Sequence, residues 1–425
     1  MANVLPELTE FRIEHHANGL VHFVFDCPGR SINVFSNKAI HQLGAFAEWL
    51  LHSDARGVVM RSGKSSGFCA GADLTELGVA YDMIVAARPA DRFDMAYAHF
   101  FPLGHAIRRL ETAGKPIAAA IAGVALGGGC ELALGAHYRV STTGKRAMFG
   151  LPECAVGLLP GAGGTQRIPR LIGLERGLEV LLQGITLQGD EALAAGLVDE
   201  VVADGAEIVA AEAWLLSDAA NCVQPWDRPD AIPLTHAAIA PAIALHRTRE
   251  LSRMLGHEPA PLAILDCVEL GLMQPIDGAI RAEMSVFARL IQRPEPRNMI
   301  RTLFLGKQAH DKASRDGSVS PAVLAASEAI GAVVSTALGG CPDLRLAGFE
   351  SGSGCSAPVQ DRPGADFWVT SQPEIAAALG RIAGACRSIT APLSLGEALQ
   401  LDYAVTASGT IPAYLGGISG VLRLG

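Results

Sequence analysis

From Gly19 to about Val202, short apolar runs alternate with helical patterns. GLVHFVFDC, RGVVMRSG and KPIAAAIAGV are each bounded by glycine, proline or polar residues and read as strands. ERGLEVLLQG and DEALAAGLV read as helices that end at Gly184 and around Gly196, where glycine suits a helix C-terminus. This texture predicts an α/β domain over residues 1–202. From 203 to 312 the strand signal fades, and APAIALHRTRELSRML and PIDGAIRAEMSVFARLIQ predict a helical linker region. In the second of these, Ile280, Met284, Phe287 and Leu290 recur at helical spacing and define a packing face. Residues 313–425 form a third, helical region. It opens with SPAVLAASEAIGAVVSTALGG, passes through GFESGSGCSAPVQDRPG and closes with more helix and GTIPAYLGG. The Gly-, Ser- and Pro-rich loop is the segment least expected to be ordered.

Composition changes this picture mainly by exclusion. A chain of 425 residues that is 49% hydrophobic can bury a large core. A formal charge of −9 gives no general basic field for nucleic acid or an anionic membrane, although a local basic pocket for a phosphate-bearing ligand is compatible with it. Nine cysteines without a CxxC pair argue against a zinc ribbon and against a disulfide framework, and they fit a reducing compartment. The opening MANVLPELTEF carries acids and a proline where a signal peptide needs a basic start and an apolar core, so a cytoplasmic location is expected.

The chemistry begins with KPIAAAIAGVALGGGCELALGAHYRV, residues 115–140, which is small and apolar almost throughout yet carries one carboxylate, Glu131. Read as a membrane span, it would be broken by Gly127, Gly128 and Gly129 and would carry a charge costing roughly 2.5–3.5 kcal/mol. Read as a strand and core helix, it needs an account of the acid, either an ion pair or a site. A second isolated carboxylate, Glu153, lies in FGLPECAVGLLPGAGGTQRIPRLIG. Two such acids facing one apolar pocket would have raised pKa values and could hold one acid and one base near neutral pH. In GFCAGADLTEL the small residues Ala70, Gly71 and Ala72 let a ligand approach the main chain, and Gly128 does likewise in the triple glycine. Backbone N–H groups at Ala70 and Gly128 could together donate to one carbonyl oxygen.

In order, spacing and residue type, GFCAGADL, IAGVALGGGCELAL and FGLPE followed by GLLPGAGGTQRIPRLIG resemble the enoyl-CoA hydratase/isomerase (crotonase) superfamily over roughly residues 10–202. The resemblance implies a crotonase-like ββα spiral that binds an acyl-CoA thioester. It also implies an oxyanion hole at Ala70 and Gly128, substrate contacts at Gly71, Ala72, Asp73, Leu74 and Gly127, and acid–base roles for Glu131 and Glu153. Retention of both acids points to hydration of a trans-2-enoyl-CoA, with no metal and no redox cofactor. The alternatives are a Δ3,Δ2-enoyl-CoA isomerase or other enolate chemistry on the same hole, and a non-enzymatic binding or scaffold protein. STTGKRAM, between the acids, is about two residues longer than usual and reads as a surface-loop insertion.

The helical linker resembles, more loosely, that of the multifunctional fatty-acid oxidation proteins, in HEPAPLAILDCVELG and QRPEPRNMIRTLFLGK. LSLGEALQLDYAVTASGTIPAYLGGISGVLR is similar to the helical C-terminal part of their NAD-dependent dehydrogenases; an unrelated helical bundle is the alternative. GSGCSA, residues 352–357, fits a dinucleotide fingerprint by letter, but Pro358 follows where a helix should run, so no NAD is expected. Single-module relatives usually form trimers or pairs of trimers, which leaves homo-oligomerisation open.

Overall fold

The computed structural model describes residues 7–144, 146–254, 257–341, 344, 347, 349 and 372–424. Its first compact unit comprises residues 1–155, 159–244 and 263–289, and its second comprises 156–158, 245–262 and 290–425.

In the first unit two sheets grow in step. One has the order β1 (Phe11–His15), β2 (Leu20–Phe25), β3 (Gly57–Ser62), β5 (Ile117–Ala120), β7 (Tyr138–Thr142) and β10 (Glu200–Val202), and is parallel except where β1 pairs with β2. The smaller sheet is β4 (Gly67–Cys69), β6 (Val124–Leu126), β8 (Met148–Gly150) and β9 (Thr186–Gln188), parallel except for β9 against β8. The pairs β3–β4, β5–β6 and β7–β8 each set one strand in the larger sheet and the next in the smaller before the chain returns through helix. The helices are α1 (Asn37–Leu51), α2 (Leu74–Ala86), α3 (Arg92–Glu111), α4 (Gly128–Leu134), α5 (Gly164–Ile172), α6 (Leu174–Gln183), α7 (Gly189–Ala195) and α8 (Glu207–Leu216). This is the ββα spiral expected from the sequence.

The inner strands of the larger sheet are buried on both faces, which is why they read as continuous apolar runs. Ala211 and Leu215 of α8 pack on Val59, Ala118, Ala120 and Val140, while Phe46 of α1 stacks on Phe23. The chain continues through α9 (His236–Met254), α10 (Pro259–Leu272) and α11 (Ile276–Leu290). Residues 263–289 belong to the first unit, so the linker expected over 203–312 is not one compact body. The physical reason is polar as well as apolar. Gln166 Nε2 donates to the Cys267 carbonyl at 2.9 Å, and Glu283 accepts amides from the start of α5.

The second unit is mainly helical. The helix Pro321–Gly340 is long and apolar enough to cross a membrane by length and composition. In this fold its stripe Val323, Ala326, Ile330 and Val334 packs into a cluster with Ile375, Leu379 and Ile382 of helix Pro373–Thr390, and with Leu401 and Val405 of helix Leu395–Ala407. Asp402 is buried there, bonded to Arg301 at 3.0 Å and to the Ser419 amide at 2.8 Å. The GSGCSA segment, residues 352–357, lies outside the described residues.

Close approach between β4 and α4 is what brings the site together, and it depends on Gly129. A Cβ there would lie 2.4 Å from the Cys69 carbonyl oxygen and 2.7 Å from Cys69 Cβ. Gly129→Ala therefore gains about 1 kcal/mol of helix propensity but meets backbone, and overpacking of about 1–3 kcal/mol outweighs it. A lower urea midpoint is expected; an unchanged or higher one would show that the two elements are not in close packing.

Candidate active site

β6 runs into Gly127, whose φ of 53° and ψ of −131° suit glycine, and the chain then turns into α4, which is buried along its whole length. Glu131 lies in the first turn of α4 and is 2% exposed. Its Oε1 accepts two main-chain bonds, from Ala162 N at 2.7 Å and Gly164 N at 2.8 Å. Glu153 comes from the 3-10 turn Pro152–Val156. A Cβ on Gly127 would stand 2.8 Å from Glu153 Oε1, so the second acid lies directly against the glycine turn that carries the first. Glu153 as a residue is half-buried, yet its Oε2 is enclosed and has no hydrogen-bond partner among the described residues.

The two acids differ electrically. Burial raises the Glu131 pKa, and the amides of Ala162 and Gly164 together with the Arg167 charge oppose that rise. Burial pushes Glu153 well above the usual carboxylate range, and repulsion from Glu131 and then Glu283 adds to it. The arrangement holds one carboxyl supplied with amide donors beside another whose neutral form is favoured by burial and by repulsion from its neighbours.

The loop after β4 meets the same turn. A Cβ on Gly71 would lie 3.1 Å from the Leu126 carbonyl oxygen and 3.5 Å from Gly128 N. The expected donor at Ala70 is corrected by the structure, because its N–H already donates to the Asn33 carbonyl at 2.9 Å. Asn33 is itself fixed, its side chain bonding Phe25 O, Phe68 O and Cys27 N. Among the described residues, the Ala72 and Gly128 N–H groups have no acceptor. Asp73 does not present a free carboxylate either. It caps α2 through the Thr75 and Glu76 amides and pairs with Arg30, leaving Leu74 as the first residue of that helix.

Two further residues surround the site without having been singled out in the sequence. Glu283 is fully buried on α11 and accepts Gly163 N at 2.6 Å, Thr165 N at 3.0 Å and the Thr165 hydroxyl. Arg167 is fully buried, bonding Glu111 through two nitrogens at 2.7 and 2.9 Å and the Ala162 carbonyl at 2.8 Å. The available signal for Glu283 was an acid adjoining the apolar stripe of Ile280, Met284 and Phe287. Elsewhere, Glu14, His16 and His22 bring ligand atoms within 4.8 Å of one another, but Arg61 donates to both Glu14 and His22 Nδ1.

This fold and site define a chain built around backbone donors and paired buried carboxyls. Residues 18–224 match the family described as enoyl-CoA hydratase/isomerase. The fatty acid oxidation complex subunit alpha of Shewanella loihica is 33% identical over 315 residues, covering 73% of this chain and 43% of that protein. Its counterpart from Shewanella amazonensis is 31% identical over 325 residues, covering 76% and 44%. The chain thus spans less than half the length of these curated relatives. Among solved structures, Pseudomonas aeruginosa DspI is similar at 28% identity and a TM-score of 0.42, covering 51% of this chain and 82% of that one. An enoyl-CoA hydratase from Bacillus halodurans is similar at 19% identity and a TM-score of 0.47, covering 69% and 99%.

The buried acids give a stability prediction. Burial and the neighbouring Glu131 push Glu283 from its ordinary 4.5 up to about 8. A carboxyl that holds its proton more tightly when folded contributes stability that is present below its unfolded pKa and lost as pH rises through the folded one. The margin in Tm between wild type and Glu283→Gln should therefore shrink steadily from pH 4.5 through 8. A margin that grows over that window in thermal melts would reverse the assigned direction.

Proposed function

We propose that this chain hydrates a 2-enoyl-CoA to a 3-hydroxyacyl-CoA. The matching family spans hydration and isomerisation of enoyl-CoA thioesters. The observation that favours hydration is the unequal pair of enclosed carboxyls, because adding water needs a base for the water and an acid for the α-carbon in one site. Glu131, with two amide donors and Arg167 favouring its ionised form, is the base. It takes a proton from water as the water oxygen bonds the β-carbon, and the π electrons move toward the thioester oxygen. The Ala72 and Gly128 N–H groups stabilise that oxygen, in place of the Ala70 and Gly128 pair expected from the sequence. Glu153, whose burial keeps its proton, delivers it to the α-carbon as the enolate collapses. Water is thereby divided between the two carbons, and solvent exchange returns both acids to their starting states. No metal or redox cofactor enters this scheme.

Incubation with crotonyl-CoA, followed by loss of the conjugated-thioester absorbance, tests the reaction. Turnover of a 3-enoyl-CoA without hydration would identify an isomerase instead. Glu131→Gln and Glu153→Gln should each lower hydration by at least about 10²-fold while binding of a saturated acyl-CoA persists. Near-normal turnover in either folded variant removes that residue from the mechanism.

The same reading extends to the second unit. Among the described residues of the second unit there is no strand and hence no glycine-rich strand-to-helix turn to cradle a dinucleotide pyrophosphate, and no NAD-dependent step is proposed. Titration calorimetry with NADH at micromolar concentration should give no binding heat; a saturable isotherm would restore a dehydrogenase role.

A further inference from the structure

The turn that enters α5 presents four successive backbone N–H groups, and two carboxylates divide them by alternation. Ala162 and Gly164 donate to Glu131, while Gly163 and Thr165 donate to Glu283. The turn is made by Gly163, in the left-handed region at a φ of 100°, immediately before α5. The conformation leaves no room for a side chain, since a Cβ at Gly163 would fall 1.9 Å from Arg167 Nη1. The turn is thus held by Glu131 from α4 on one side and Glu283 from α11 on the other. Arg167 fixes it from behind, with its guanidinium locked to Glu111 of α3.

We propose that Glu283 is a positioning residue for Glu131, acting through the 162–165 turn that both carboxylates share. Both amide bonds to Glu131 fall on Oε1, which leaves Oε2 for proton transfer. If the turn rotates, Oε1 loses its donors and the carboxylate loses its orientation. Glu283 prevents that rotation by occupying the two amides that Glu131 does not take. Thr165 strengthens the hold, because its hydroxyl also donates to Glu283 while accepting from Gln166 Nε2 at 2.9 Å. The charged and titratable groups that face Glu283 are Glu131 on α4, Glu153 on the 3-10 turn, Arg167 and Arg170 on α5, and Cys267 on α10. None of them accepts from the Gly163 or Thr165 amide, so none replaces Glu283 in this role.

The catalytic consequence rests on the reading of Glu131 as the base, whereas the structural one does not, and the experiment separates them. The full chain is compared as wild type, Glu283→Gln, Glu131→Gln and the double variant. Gln retains the volume but turns an N–H₂ toward one of two amide donors. Amide hydrogen exchange read by NMR should be about tenfold or more faster at Ala162 and Gly164 in Glu283→Gln, although neither bonds residue 283. Acceleration confined to Gly163 and Thr165 would overturn the proposal. With a 2-enoyl-CoA, kcat should fall on the order of ten- to a hundredfold at unchanged KM, with no additional loss when Glu131 is already Gln. An equal loss in both backgrounds would mean a merely structural role and also overturns it. Full activity in Glu131→Gln would sink the hydratase mechanism instead, leaving the exchange result to decide the turn. Should Glu283→Gln fail to fold, Thr165→Val removes one donor to Glu283 and should accelerate Ala162 and Gly164 in the same sense. Unchanged exchange there would count against the proposal.

Discussion

Four consecutive backbone N–H groups, from Ala162 to Thr165, lie in a turn buried from solvent, and each needs an acceptor. A buried amide left unpaired costs about 1–3 kcal/mol, so a turn of four could not persist without partners. Strand or helix bonding cannot supply them, because the chain there is entering a helix whose first amides have no internal acceptor. Side chains must do it, and the two that do are carboxylates carried on separate helices. Satisfying one short turn therefore fixes α4, α5 and α11 relative to one another, and the rest of the site is assembled around that junction.

The same solution creates a shortage of positive charge. Arg167 is the fully buried cation beside the acids, and both of its Glu111 contacts show that much of its charge is already engaged. With Glu131, Glu153 and Glu283 close enough to repel one another, proton uptake relieves the excess. It is relieved unequally, because hydrogen-bond donors are distributed unequally. Glu153, with an unpartnered Oε2, is pushed toward its neutral form, while Glu131 has amides to stabilise its charge. What would be a liability for stability thus leaves two neighbouring carboxyls with unequal affinities for a proton, the inequality on which the proposed reaction draws.

Much of this was legible in the chain. Glu131 and Glu153 stood out because each is an isolated acid in an apolar stretch, and the glycine turn was visible as Gly127 to Gly129. The alternating texture announced an α/β domain, since strands buried on both faces must be apolar throughout, and the spiral was implied by the family resemblance. The donor expected on the loop after β4 fell on an amide that is already engaged. Small side chains at 70, 71 and 72 mark where main chain can be approached, but which amide is free depends on Asn33, which takes the Ala70 N–H from a distant loop. Asp73 is similar, its role set by a local cap and by Arg30. Glu283 was hidden for a different reason. Helical spacing reports which face packs, not whether a polar group on that face meets a row of amides contributed by another part of the chain.

That long-range bond also bears on the order in which the chain is made. Glu283 lies 118 positions beyond Thr165, the amide it accepts. During synthesis the strands, Glu131, Glu153 and the turn at 162–165 would all emerge well before α11 does. In that interval the amides of Gly163 and Thr165 would have to remain hydrated, so the turn would stay open until α11 arrives. The junction would then close late, as a single event that excludes water from both carboxylates at once.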